Sequence, residues 1–332
     1  LRKILDLDLY IRKIIILQLI VGRVFQMEGW QLFVWIPVKN FMWKIQKIRR
    51  IADYMSRETN VEIFKDTEKL IRTNKKLIES VKKSTEQQKL IREDDKVMVP
   101  SIKKYEDDAR VIVSKKRTFE AASAYRQLRT AVHNFASASN PGGGVVRGAS
   151  AQEECLCRCS GLYFNLNVQQ MWDDFYGPHR LAHNPIHNDD IIYTPSVTVF
   201  KSDTANPTLL PEEEWYDVDV ITCAAPNLRE NPSNGYNQGD GSASIRLSDK
   251  ELLEIHEKRL RRILDVAVAQ GDEVIILGAF GCGAFKNKAD IVALAAKNEI
   301  KDYLKAFKVI EFAVYCSPRD DTNYKTFQRV IK

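Results

Sequence analysis

No stretch of this 332-residue chain stays apolar and uncharged over the ~18 to 20 residues that a spanning helix needs. Its most apolar part, IRKIIILQLIVGRVF followed by WQLFVWIPV, is interrupted by Arg12, Lys13, Arg23 and Glu28. A signal peptide would call for a small-residue cleavage site, and none is clear. Cysteine is scarce as well. Cys155, Cys157, Cys159, Cys223, Cys282 and Cys316 form no disulfide framework, and four of them fall in segments that read as buried helix or strand. A reducing, cytoplasmic setting is therefore expected. Neither sign of charge dominates: 50 basic and 44 acidic residues leave a net charge of +6. That balance suits an anionic ligand without identifying one. There is no internal repeat, no Walker loop and no G-x-G-x-x-G fingerprint.

What is present reads as a folded protein, with 44% hydrophobic residues. Residues 1–45 differ from the rest. They begin at Leu1, which suggests that the native start is missing or altered, and they read as a docked appendage. A membrane-surface helix and an uncleaved span are the alternatives for this segment. Residues from about 46 to 95 read as helices with charged outer faces. Leu70, Ile71, Leu77, Ile78 and Val81 recur at helical spacing between Lys69 and Lys83.

Beyond residue 96 the pattern alternates. Strands are expected at Val111–Val113, Ala131–Ala136, Val197–Phe200, Val218–Cys223, Val274–Leu277 and Val309–Tyr315. Helices are expected from Thr118 to about Leu128, from about Ser150, from about Ser248 to Gln270 and from about Ala289 to Phe307. Long loops are expected between Asp173 and Asp190 and between Pro226 and Ser248. Such alternation predicts an α/β fold with a mixed or mostly parallel sheet covered on both faces.

Two glycine loops leave core strands. In NPGGGVVRGASAQEE, Gly142, Gly143 and Gly144 end an apolar run, and Gln152, Glu153 and Glu154 open a helix. Glycine without a Cβ can pass close to a ligand. Adjacent carboxylates at such a mouth suit sugar chemistry better than packing. In GAFGCGAF, Gly278, Gly281 and Gly283 follow a buried strand and precede a helix. Successive backbone N–H groups there could form a nest for a diphosphate, with Phe280 and Phe285 placed to stack on a base or ribose. A tight turn needing only φ > 0 is the plainer alternative.

These residues resemble a known family. NPGGGVVRGASAQEE matches the GGG…QEE signature of poly(ADP-ribose) glycohydrolases. GAFGCGAFKN resembles the phosphate-loop segment of that family's macrodomain. NFASASNPGGG, QEECLCRCSGLY, IIYTPSVTVF and VITCAAPN are similar to the microbial-type branch, and the likeness spans residues 46–332. The resemblance implies a macrodomain-like mixed central sheet flanked by helices, with an N-terminal helical extension. It implies hydrolysis of the ribose–ribose bond of poly(ADP-ribose), mainly from the terminus, with release of ADP-ribose. By motif, Glu154 matches the acid/base and Glu153 the partner that holds the ribose at the scissile bond. Gly142, Gly143 and Gly144 match the ribose loop, and Gln152 joins the binding set. Gly281, Cys282, Gly283, Ala284 and Phe285 match the diphosphate loop. Ala284 replaces a larger aliphatic residue. The family's ribose-contacting asparagine corresponds to Asn140, with Asn134 as the alternative register. Poly(ADP-ribose) or ADP-ribosylated protein is the implied partner, with no cofactor, no metal, no direct nucleic-acid contact and no membrane span. Surface association through residues 1–45 stays open.

The chemistry needs these residue types. One carboxyl group can protonate the leaving oxygen and then take a proton from water. To start protonated, Glu154 must lie above the free value of ~4.3, through burial and the neighbouring Glu153 charge. Neighbours on a helix diverge by about 100°, so the two carboxylates cannot share one role. A capping alternative exists, because Ser150 and Glu153 form S-x-x-E. A macrodomain that binds ADP-ribose without cutting it, and a hydrolase of ADP-ribose on protein side chains, are the competing functions. His179, His183 and His187 have helical spacing, but Pro185 breaks it, so a metal face is not expected. Cys155, Cys157 and Cys159 read as buried small residues.

Overall fold

The computed structural model describes residues 38–234, 239–317 and 320–332, with side chains from residue 56 onward. The chain divides into two units, Leu1–Ala52 and Asp53–Lys332. Residues 1–37, which hold most of the expected appendage, lie outside the described residues. No helix among the described residues is long and apolar enough to cross a membrane.

The sheet shows why the sequence alternates. Seven strands are β1 Lys89–Ile91, β2 Arg110–Ser114, β3 Thr130–Ala136, β4 Ile191–Val199, β5 Tyr216–Ala224, β6 Val274–Leu277 and β7 Val309–Ala313. They run in the order β1-β4-β5-β3-β6-β7-β2. β5, β3, β6, β7 and β2 are mutually parallel, while β4 is antiparallel to β5 and to β1. The interior strand β6 is apolar throughout because both of its faces are covered. Ile275 and Leu277 join one core cluster; Val274 and Ile276 join the other. Each such buried side chain contributes roughly 1.5–3 kcal/mol of transfer free energy.

The helices divide between these faces. They are α1 Val38–Thr73, α2 Lys75–Gln87, α3 Thr118–Ala122, α4 Gln152–Cys159, α5 Leu162–Leu166, α6 Gly177–Ala182, α7 Asp249–Gln270, α8 Ala289–Tyr303 and α9 Thr322–Ile331. Leu260, Ile263 and Leu264 of α7, Val292 and Ala296 of α8 and Phe327 of α9 pack on one face. Phe64 of α1, Phe119 of α3, Leu156 of α4 and Leu162 of α5 pack on the other. Helix α7 starts where the sequence indicates: Ser248 Oγ accepts from Glu251 N–H, and Glu251 returns a bond to Ser248 N–H. It ends at Gly271, whose φ of 85° is left-handed.

Several expectations are corrected. The helical stretch from Lys69 to Lys83 is broken at Asn74, whose Oδ1 accepts from the N–H groups of Lys76 and Leu77 and so caps α2. The helix from Thr118 is α-helical only to Ala122 and tightens to a 3-10 turn over Ser123–Tyr125. Ser150 does not cap α4. Its N-cap is Ala151, with no side-chain bond, because Glu153 turns away toward β3. The long loop expected from Asp173 contains a π turn, Trp172–Tyr176, and α6. Strand β1 and helix α9 were not expected.

Candidate functional site

Parallel strands deliver their carboxyl ends to one edge, and both glycine loops leave that edge. They open on one shared cleft of about 540 Å³. Its lining includes Gly143, Gly144, Gln152, Glu153 and Glu154 from the first loop and α4. Gly281, Gly283, Ala284 and Phe285 line it from the second. Asn140, Gly142 and Cys282 are not among the lining residues.

The first loop folds back tightly, with Gly143 N–H donating to Asn140 C=O and Val145 N–H to Gly142 C=O. Gly143 has φ +58, and a Cβ there would stand 2.6 Å from Glu154 Oε1. Only glycine allows both that backbone and that approach. The two glutamates of the first helical turn then part. Glu153 turns to β3, where its oxygens accept from Ser137 N–H at 2.8 Å and Asn134 Nδ2 at 3.2 Å. Glu154 turns to the loop, where Oε1 accepts from Gly144 N–H at 2.9 Å. Its other oxygen, Oε2, is buried and has no partner among the described residues.

Burial dominates the acidities. It pushes Glu153 up to about 8, helped by the Glu154 charge and opposed by the N–H groups of Ser137 and Gly142 and the amide of Asn134. Burial also raises Glu154, against Gly144 N–H and the Arg158 guanidinium one turn along α4. Arg158 is itself buried, donating to Ala149 C=O at 2.6 Å and to Cys155 Sγ at 3.2 Å.

Gln152 is occupied within the fold. Its Oε1 accepts from Phe135 N–H, and its Nε2 donates to His133 C=O and Thr118 Oγ1. It braces α4 against β3 and α3. Asn134 is fully buried between Glu153 and Thr222. Asn140 instead accepts from Arg180 and donates to Ser139 Oγ. Of the two asparagines, Asn134 is the one whose bond to the carboxylate pair is seen.

The second loop is held from behind. Asn287 Nδ2 donates to Pro226 C=O at 2.7 Å and to Gly281 C=O at 3.2 Å, and its Oδ1 pairs with His256 Nε2 at 2.8 Å. Gly281 has φ +74 and lies against Ala225 and Asn287, where a Cβ would come within 2.6 Å of each. The N–H groups of Gly281, Gly283, Ala284 and Phe285 donate to nothing among the described residues. These four residues line the cleft, so their backbone donors are available to an anion there. Phe285 is half-buried there, with the Arg229 guanidinium 5.5 Å from its ring centroid. Phe280 corrects an expectation. It is fully buried against His133 and His256, so it is core and cannot stack on a ligand. His256 and Asn287 escaped sequence reasoning, because no local pattern links residues 31 apart.

The other constellations are structural. His179 bonds Phe175 C=O and Asn188, His187 bonds Ala225 C=O and lies 3.2 Å from Asp240, and His183 is exposed on a left-handed turn. Cys155, Cys157 and Cys159 are buried, and burial pushes the Cys282 thiol up to about 12.

Residues 54–202 match the family model "Microbial-type PARG, catalytic domain". The chain is similar to the crystal structure of poly(ADP-ribose) glycohydrolase from Thermomonospora curvata, with 26% identity and a TM-score of 0.68 over 82% of this chain and 99% of that one. The same enzyme bound to the inhibitor ADP-HPD gives a TM-score of 0.67 at 26% identity, with the same coverage of both chains. Poly(ADP-ribose) glycohydrolase from Deinococcus radiodurans in complex with ADP-ribose is 30% identical, with a TM-score of 0.62 over 76% of this chain and 97% of that one. No curated protein sequence matches.

Proposed function

The chain belongs to the microbial-type poly(ADP-ribose) glycohydrolases, and from that premise we propose that it hydrolyses the polymer mainly from its terminus, with Glu154 as acid and then base. The single observation that carries the acid/base assignment is the buried, unpartnered Oε2 of Glu154, a residue that lines the cleft. Two buried carboxyl groups side by side cannot both ionise readily, so the pair keeps a proton near neutral pH. Both oxygens of Glu153 already receive donors, so within the pair the shared proton is better placed on Glu154 than on Glu153. The proton then belongs on Glu154 Oε2.

Chemistry follows from that placement. Glu154 Oε2 gives its proton to the 2′-oxygen of the next unit as the bond from the ribose anomeric carbon to that oxygen breaks. The developing oxocarbenium centre is taken by water, and the carboxylate of Glu154 receives the water's proton. The acid is regenerated, and the products are free ADP-ribose and a shortened polymer. Glu153, braced by Asn134 and Ser137, accepts from the ribose hydroxyls and fixes the sugar. The N–H groups of Gly281, Gly283, Ala284 and Phe285 hold the diphosphate, and Phe285 with Arg229 covers that end of the ligand. A covered nucleotide end supports attack at the terminal unit, where no further chain has to pass.

Labelled polymer incubated with the protein should yield free ADP-ribose. The Glu154→Ala variant should yield none while still binding ADP-ribose. Equal release by the variant would remove Glu154 from the mechanism.

A further inference from the structure

The cleft does not stop at Glu154. In the sheet order, β5 and β3 lie on one side of β6, and β7 and β2 on the other. The diphosphate loop leans to the β5 side: Gly281 lies against Ala225, and Phe285 C=O accepts from Leu228 N–H. The opposite arm is lined by Arg117, just after β2, and by Val314 and Tyr315, just after β7. Arg57 and Asn323 also line the cleft.

Arg117 lies close to the acid/base. Its Nη1 is 3.4 Å from the sulfur of Cys155, the residue that follows Glu154. Its guanidinium stacks on Tyr315, with Cζ 3.9 Å from the ring centroid. An ion pair with Asp203 could account for Arg117 without any ligand. That pair is loose, at 3.9 Å, which is beyond hydrogen-bond distance. The other Asp203 oxygen accepts from Phe119 N–H instead. A thiol sulfur is a weak acceptor. The flat donor edge of Arg117 therefore has strong acceptors to gain, and Tyr315, half exposed, holds it at the wall.

We propose that this arm is a second nucleotide subsite, in which Arg117 on its Tyr315 platform, with Arg57 nearby, binds the diphosphate of the leaving ADP-ribose unit. The inference rests on the glycosidase reading, because only a polymer places a second diphosphate beyond the bond that Glu154 protonates. Guanidinium groups match phosphate oxygens in a two-pronged way, and such charge-assisted bonds are strong.

The test compares two substrates. One is poly(ADP-ribose). The other is an ADP-ribose glycoside with a small aryl leaving group, which fills the first subsite alone. Arg117→Gln and the surface change Tyr315→Ala should each lower kcat/KM on polymer by about tenfold or more. On the aryl glycoside the loss should stay within about twofold, and ADP-ribose affinity should hold. Equal losses on both substrates, or none on polymer, would overturn the subsite. A wild-type chain inert toward both substrates would instead overturn the glycosidase reading, and the subsite with it.

Discussion

The two glycine loops look alike in sequence, yet Gly143 of the first and Gly283 of the second serve them differently. At Gly143 a side chain is excluded because Glu154 occupies that space, 2.6 Å from where a Cβ would be. At Gly283 nothing lies within 4 Å of a Cβ, and the loop presents backbone donors to open space. The first loop exists to let carboxylates come close. The second is braced from behind by Asn287 and His256. A run of glycines therefore does not define a site until one knows what fills the vacated volume.

The sharpest break in that comparison is chemical. Glu154→Gln preserves the contact of Oε1 with Gly144 N–H and removes the acid. A loss in kcat of about 10³-fold is expected, with ADP-ribose affinity changed by less than about threefold. Single-turnover release of ADP-ribose, measured beside isothermal titration of ADP-ribose, separates the two. Loss of binding in step with kcat would mean that Glu154 holds the ligand rather than acting on it.

Next comes Gly143→Ala. The new methyl must displace Glu154 Oε1, and the residue must hold φ +58, which L side chains rarely adopt. A displacement of about 1 Å at the reacting group costs on the order of a hundredfold in kcat. Retained activity would show that the loop yields easily, and the contrast between the loops would collapse.

The carboxylate pair also sets a pH dependence. Both groups are raised by burial, Glu153 to about 8. In the proposed scheme the active form carries its proton on Glu154, whose pKa burial raises, so kcat should fall as pH rises through the titration of the carboxyl pair, by about tenfold per unit at the limit. Stability follows the same sign. A carboxyl raised above its unfolded value binds more protons in the folded state, so its contribution is complete below about 4.5 and is lost as pH rises to about 8. Melting temperature should decline over that window, and Glu153→Gln should flatten the decline. A pH-independent kcat between 6 and 9 would contradict the protonated-acid scheme.

Legibility in the sequence followed locality. Strand β6 was readable because its own four residues are apolar on both faces. The start of α7 near Ser248 was readable because the stretch that follows it is amphipathic over its whole length. Strand β1 was not, since Lys89–Ile91 is a short edge whose pattern comes from pairing with β4. Nor was helix α9, a short terminal segment whose Phe327 alone is buried, in the core cluster shared with α7 and α8. In the site, the carboxylates and both loops were legible as motifs. Their side-chain contacts were not: they run to Asn134 and Ser137 at the end of β3 and to Gly144, residues that no local pattern ties to Glu153 and Glu154. Phe280 shows the converse failure, a flanking aromatic that folding buries against His133.

The mildest substitution tests the second loop. Gly283 has no left-handed φ, and a Cβ there would meet no neighbour. Gly283→Ala removes no donor, because every non-proline residue keeps its N–H. If the diphosphate is bound by those backbone donors at their present spacing, the methyl should shift ADP-ribose affinity by less than about threefold; a shift of that size is below about 0.7 kcal/mol. Calorimetric titration of ADP-ribose reads it directly. A larger loss would mean that the ligand presses against the Cα of Gly283, in the way that Glu154 presses against Gly143. The two loops would then differ only in what they touch and not in how they work.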